Sequence, residues 1–281
     1  MAPHLTEAAG RLAQTFGPVI GPLIACALAF AGLAWLTKGR RALEDARAAL
    51  PGVRINLAMM LIDLVAVAPL LALAMSVATG ALAAHGLQLD SGRLWAAIGR
   101  WPTVFAALVV GDFVGYWRHR AQHSRWLWPA HAVHHSDTHL TWLSLERVHP
   151  IDRLGALGDT LALAALGFPP SALAANILAR HYYGYLIHAD LPWTFGRAGW
   201  ALSSPVMHRW HHARDVDGSG YNFATFLSLW DRAFGTYYQP GPCTVPTGVR
   251  EDVGAGVLAQ YAHPLETWWR ALRPRGLRLS A

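Results

Sequence analysis

Charge, lysine and cysteine are all scarce in this chain. Charged residues fill 14% of its 281 positions, against about 25% in ordinary soluble domains. Lys38 is the only lysine, so arginine supplies the other 22 of the 23 basic residues behind a net charge of +6. Those arginines are scattered, with local groups beside apolar stretches. That distribution excludes a nucleic-acid footprint and fits anchoring at a membrane interface. Of the two cysteines, Cys26 sits in an apolar run and Cys243 in a Pro/Gly-rich loop, which excludes a disulfide framework or a cysteine-based zinc site. No G-x-S-x-G element supports a serine hydrolase, and no phosphate-binding loop is visible. No internal repeat or low-complexity tract is present. Richness in alanine, glycine and arginine with one lysine points to a bacterial chain of high-GC coding.

What is abundant is apolar. Hydrophobic residues reach 53%, and they cluster. Gly17 to Leu36 carries no charge over 20 residues, enough to cross a bilayer. It lacks the basic flank and small-residue cleavage site of a signal peptide and reads as a membrane helix. A second segment runs from Ile55 to about Ala84, interrupted only by Asp63. A third, from about Leu94 to Trp117, carries Arg100, Pro102 and Asp112. A fourth, Leu154 to Leu191, is broken by Phe168-Pro169-Pro170, bears Asp159 and Arg180, and predicts a helical hairpin in the membrane. Lys38, Arg40, Arg41, Arg47 and Arg54 follow the first span and place that loop in the cytoplasm. Counting spans puts residues 118–153 and everything after residue 191 on the same side, in agreement with Arg270, Arg273, Arg275 and Arg278 in the tail.

Fifteen histidines are present, and eight of them stand in three tight groups: His119 and His123; His131, His134 and His135; His208, His211 and His212. Residues three and four apart share a helix face, so each triplet predicts a stripe of imidazoles, and the same i, i+3, i+4 pattern occurs twice. Asp112 and Tyr116 extend the first stripe backward and are candidate supporting partners for metal-bound imidazoles, which usually donate their second N–H to a carboxylate or carbonyl. His188, near the membrane exit of the hairpin, is a ninth candidate ligand. His149 is a candidate ligand or supporting group, and His181 reads more simply as a hydrogen-bonded core residue. His4, His85, His139 and His263 read as solvated or loop histidines. Eight or nine imidazoles exceed the four ligands of a structural zinc site, so two metal ions are implied. Imidazole suits zinc, copper, nickel and iron alike; the lipid-facing context favours iron. Two other readings remain: a histidine-rich metal transporter or sensor, and a zinc-dependent lipid-modifying enzyme. The transporter reading is opposed by ligands that lie outside the spans rather than along a path through them.

At these residues the chain resembles the fatty acid hydroxylase/sterol desaturase superfamily of integral membrane di-iron enzymes. The resemblance covers roughly Asp112 to Tyr237. It rests on Asp112, Tyr116, His119, Arg120 and His123; on Trp128, His131, His134, His135 and Ser136; on Arg147, His149 and Pro150; on His188 and Asp190; and on Pro205, His208, His211 and His212. Asn222 and the string Leu229-Trp230-Asp231-Arg232-Ala233-Phe234-Gly235-Thr236 match the family's closing motif. A second intermediate histidine four residues from His181 or His188, found in some members, is absent here.

The resemblance implies an all-α integral membrane protein with about four transmembrane or hairpin helices and a cytosolic helical cap holding a histidine-rich di-metal site. The expected division is a single membrane domain over residues 1–281. It comprises membrane helices in 17–117, a cap from 118–153 and 192–240, a membrane hairpin at 154–191 and a tail at 241–281. The implied chemistry is a monooxygenase with two iron ions that uses O₂ to hydroxylate or desaturate a lipid. No cytochrome b5-like segment lies within these residues, so electrons are expected from a separate cytochrome b5-like protein, ferredoxin or reductase. The expected setting is a bacterial inner membrane, with the histidines facing the cytoplasm.

Overall fold

All regular structure among the described residues is helical; the nearest thing to a strand is one antiparallel bridge between Ala213 and Thr247. The computed structural model describes residues 2–214 and 220–273, with side chains from residue 19 onward. The His4 side chain, Arg275 and Arg278 lie outside that set.

Two units divide the chain, residues 1–48 and 49–281. The first contains α1 (Ala2–Lys38) and the start of α2 (Arg41–Ile62). Within it Lys38 pairs with Asp45 at 2.9 Å. In Val19–Lys38 the apolar side chains are turned outward, with Ile20, Ile24, Leu28 and Trp35 all exposed, as a lipid-facing helix requires.

From α2 the chain continues through a π turn, Asp63–Val67, into α3 (Ala68–Ala84). The turn has a local cause. Pro69 has no N–H to donate, and the ladder changes register just before it, where the Ala68 N–H reaches back to Asp63 O. Arg41–Ala84 is the second helix long and apolar enough to cross a membrane. Its Leu70, Leu73 and Val77 are exposed.

A short α4 (Gly92–Ile98) and α5 (Arg100–Gln122) meet at 119°. The bend sits at Gly99, whose φ of +84° would strain any residue with a Cβ. Together they form a third candidate span if the bent pair counts as one. Behind α5 lie α7 (Pro150–Ala165) and α8 (Pro170–His188), packed around Ala107, Leu163, Phe168 and Ala172. The α5–α8 approach depends on missing side chains. A Cβ at Gly111 would run into Asn176, and one at Gly115 into Arg180.

The hairpin expected at 154–191 is present as two limbs, α7 and α8. The limbs are 16 and 19 residues long, and neither is among the helices that qualify by length and composition. Polar residues inside it explain why. Asp159 is buried between Arg118 (3.0 Å) and Arg180 (3.1 Å), so the hairpin carries an ion network against α5. Among the described residues the membrane base thus holds two to three candidate spans with the two hairpin helices beside them.

The remaining elements carry the histidines and their supports: α6 (Trp128–His135), a 3₁₀ turn Trp142–Glu146, a 3₁₀ turn Gly196–Trp200, α9 (Pro205–His211), α10 (Leu229–Ala233) and α11 (Val257–Leu272).

Candidate metal centre

Proline starts both histidine-rich helices. Pro129 and Pro205 occupy first-turn positions of α6 and α9, where a missing N–H costs nothing. In α9 the Ser204 hydroxyl caps the Met207 N–H at 3.2 Å. These starts set the register of each triplet. His131, His134, His135, His208, His211 and His212 are all buried.

The structure brings all nine candidate ligands together in two adjacent groups. His119, His123, His131, His135 and His211 form one; His134, His188, His208 and His212 form the other. Within each group one nitrogen per ring lies within 4.8 Å of the rest. Each triplet is shared: α6 sends His131 and His135 to the first group and His134 to the second, while α9 sends His208 and His212 to the second and His211 to the first. The single stripe expected for each triplet thus splits, because i and i+4 stack while i+3 points about 100° away from i+4. The two groups touch through His135 and His212, whose rings stack at 4.3 Å.

The hydrogen bonds at the outer nitrogens fix the tautomers. A carbonyl only accepts, so His119 Nδ1 donates to Phe223 O (2.7 Å), His134 Nδ1 to Arg147 O (3.2 Å), His188 Nδ1 to Gly184 O (2.7 Å) and His211 Nδ1 to Tyr221 O (2.7 Å). His131 Nδ1 is 2.8 Å from the Asp152 carboxylate. Each of these rings then turns a bare Nε2 lone pair inward. His119 and His131 face each other Nε2 to Nε2 at 3.1 Å, and so do His134 and His188 at 3.1 Å. His208 Nε2 closes on His188 Nε2 at 3.0 Å.

Lone pairs so placed repel unless a proton or a cation lies between them. A proton is disfavoured: burial pushes His131, His134, His135, His208 and His212 well below 6.5, and His211 down to about 4. A cation fits. Two nitrogens each about 2.1 Å from one ion stand about 3.0–3.4 Å apart for right-angled or tetrahedral arrangements. His211 Nε2 is buried in the first group without a hydrogen-bond partner, consistent with the same role.

Asp112 and Tyr116 do not support imidazoles directly, as the sequence had led us to expect. Asp112, fully buried on α5, accepts the Phe226 and Leu227 N–H groups at 2.9 and 2.8 Å. Tyr116 bonds to Thr236 Oγ1 at 2.9 Å. Both act on the loop that carries the Phe223 carbonyl. Asp231 completes that arrangement, taking the Phe223 and Ala224 N–H groups and the Thr236 hydroxyl. A carboxylate on the ligand stripe reads from sequence as an imidazole partner; its true partners are 114 and 115 residues away.

His149 is in neither group. Its Nδ1 caps α7 at the Ile151 N–H (3.2 Å), and its Nε2 donates to Tyr261 O. His181 lies 3.6 Å from Glu146, outside both groups. His85 and His139 are exposed as expected, whereas His263, read as a solvated or loop residue, is buried because it faces inward from α11.

Asp152 was not singled out by sequence. Its carboxylate lies 2.8 Å from His131 Nδ1, and burial raises its pKa to about 7. Its position three residues past His149 gives no hint of His131, which lies 21 residues earlier.

A helical protein with two to three candidate membrane spans and two buried polyhistidine groups is the class that these observations define. Residues 104–236, a little under half of the chain, match the family model described as fatty acid hydroxylase, and the similar proteins are named as hydroxylases and monooxygenases of lipids. The chain is 33% identical over 172 residues to an ornithine lipid hydroxylase of Rhizobium tropici, covering 59% of this chain and 52% of that protein. It is 32% identical over 171 residues to an alkylglycerol monooxygenase of Danio rerio, covering 60% and 36%. A methylsterol monooxygenase 2-2 of Arabidopsis thaliana is 29% identical over 136 residues, covering 46% and 49%. The matched stretch thus spans from about a third to half of these relatives' lengths. No solved structure matches the chain.

Proposed function

We propose that the nine imidazoles hold two iron ions, and that the protein uses O₂, two electrons from a separate donor and two protons to convert a lipid C–H into C–OH with release of water. His119, His123, His131, His135 and His211 would hold one ion, and His134, His188, His208 and His212 the other. Bound iron supplies the redox chemistry that activates O₂ toward an unactivated C–H bond.

The chain's own residues do the rest. Carbonyls of Arg147, Gly184, Tyr221 and Phe223 keep the inward nitrogens deprotonated and ready to ligate. Burial keeps the cap imidazoles neutral and excludes water from the site. Asp112 and Asp231 hold the 222–227 loop over it. The observation that carries the reading is the pair of bare Nε2 confrontations at 3.1 Å, one in each group. Hydroxylation is favoured over desaturation because similar proteins are named for it or as monooxygenases. The donor is a cytochrome b5-like protein, a ferredoxin or a reductase. The setting is a bacterial inner membrane, with the cap (118–153 and 192–240) facing the cytoplasm and a tail at 241–281.

Purified protein tests this directly. Two equivalents of iron and O₂-dependent lipid hydroxylation with a reductase are expected. Alanine at His134, His135, His211 or His212 abolishes turnover. Intact turnover in those variants overturns the proposal, and full activity with zinc alone and without O₂ supports the zinc enzyme instead.

A further inference from the structure

The last helix is inside out by the standards of a water-soluble protein. Leu258, Leu265, Trp269 and Leu272 recur 7, 11 and 14 residues after the first, which places them on one stripe of α11. They are 83%, 62%, 61% and 70% exposed. The opposite side is polar and faces inward: Gln260 and His263 are buried with Pro264, and Gln260 donates to Gly254 O at 3.0 Å. A helix bordered by water turns the other way.

The position of α11 tells what covers the stripe. The Trp268 indole donates to Trp126 O at 2.8 Å. Trp126 lies four residues beyond the end of α5, which with α4 is the bent candidate span. The C-terminal half of α11 is therefore tied to the loop where that span leaves the bilayer. Trp126 and Leu127 are themselves exposed and extend the apolar patch. Arginines border its tryptophans: Arg125 lies over the Trp126 ring at 4.6 Å and Arg273 over Trp269 at 5.2 Å, while the acid Glu251 is held by the Trp128 indole at 2.7 Å. Glu266 is offset by Arg270 at 3.4 Å. Tryptophan and arginine beside an apolar stripe are the composition of a helix lying in a membrane interface.

We infer that α11 lies flat on the bilayer surface where the bent pair α4–α5 emerges, its leucines and Trp269 among the acyl chains and its arginines on anionic headgroups. Through its packing on α6, the helix with His131, His134 and His135, it holds the histidine groups at the depth of the lipid headgroups. The inference concerns placement and stands apart from the chemistry proposed above.

Spin labels test it in the full chain, with Cys26→Ala and Cys243→Ala as background and the protein in nanodiscs containing phosphatidylglycerol. Single cysteines are placed at Leu258, Leu265, Trp269 and Leu272, and at exposed Asp252 as the water reference. The four α11 labels are expected to show several-fold greater preference for collision with O₂ over a water-soluble nickel complex than the label at Asp252. The preference weakens when phosphatidylcholine replaces the anionic lipid. Nickel access equal to that at Asp252 overturns the inference. So does label–label broadening that shows a second copy on the stripe, and a preference indifferent to lipid charge overturns the headgroup part. The readout needs neither metal nor turnover, so its failure and that of the proposed chemistry are separable.

Discussion

Asp152→Asn isolates one charge behind one ligand. The amide is nearly isosteric, and its oxygen still accepts the His131 Nδ1–H across 2.8 Å, so geometry persists while the negative charge goes. Loss of such a partner typically lowers metal affinity about 10–100-fold, or about 1.4–2.7 kcal/mol. The loss falls on the five-histidine group, because His131 belongs to it, whereas His134 and His188 of the other group donate to backbone carbonyls. The metal-free protein responds in the opposite sense. Burial raises the Asp152 pKa from 3.8 to about 7, so the folded state keeps a proton that the unfolded state has lost between those values. That group's contribution is fully present below pH 4 and declines as pH rises toward 7. Asparagine removes the decline, so the variant gains stability relative to the parent across that window. Chelator competition with ferrous or cobaltous ion, resolved into two binding steps, reads the first effect; denaturant melts of metal-free protein from pH 4 to 7 read the second. One step weakened and one unchanged is expected. Parental affinity at both steps, or equal weakening of both, refutes the assignment of Asp152 to His131.

Alanine at His119 and alanine at His188 should each deplete a different ion, which metal analysis combined with spectroscopy of the remaining ion distinguishes. Metal-free protein loses stability as pH falls from 6.5 toward 4, since the unfolded chain takes up protons that the buried imidazoles refuse; melting temperatures that stay flat across that range contradict the burial argument. Asp112→Ala leaves the Phe226 and Leu227 N–H groups without their acceptors, which costs about 1–3 kcal/mol for each buried group and should lower both the melting temperature and turnover. Gly115→Ala forces Arg180 away from α5, an overpacking that costs about 1–3 kcal/mol; a thermal melt identical to the parent's would show that α8 yields freely.

Much of the site was legible because its chemistry uses local spacing. Histidines at i, i+3 and i+4 declare themselves, and their repetition in α6 and α9 marks both triplets in the sequence alone. His188 came from its place at the end of an apolar limb. What stayed hidden depends on contacts distant in sequence. Asp112 shares a stripe with His119 and His123, yet it serves backbone amides in a loop more than a hundred residues on. Asp152 carries no motif of its own. The hairpin was legible, but the role of its charges was not: Arg118 joins Asp159 and Arg180 in a buried network, and that partner is invisible to any hydropathy pattern.

The crossing of the triplets between groups explains why two such helices are needed. One helix turn can aim two imidazoles, at i and i+4, at a single ion, and the third, at i+3, diverges by about 100° from i+4. A single triplet leaves that third ring without company. Two triplets facing each other solve the problem reciprocally, each diverging ring completing the partner helix's pair: His211 joins His131 and His135, and His134 joins His208 and His212. His119 and His123 from α5 and His188 from α8 then fill the outer sides. The stacking of His135 on His212 at 4.3 Å is a direct consequence, because the last rings of the two helices meet where the groups touch. Neither group can be assembled without the other, so damage to one triplet should disturb both ions, whereas loss of His119 or His188, each at the edge of one group, should disturb chiefly its own.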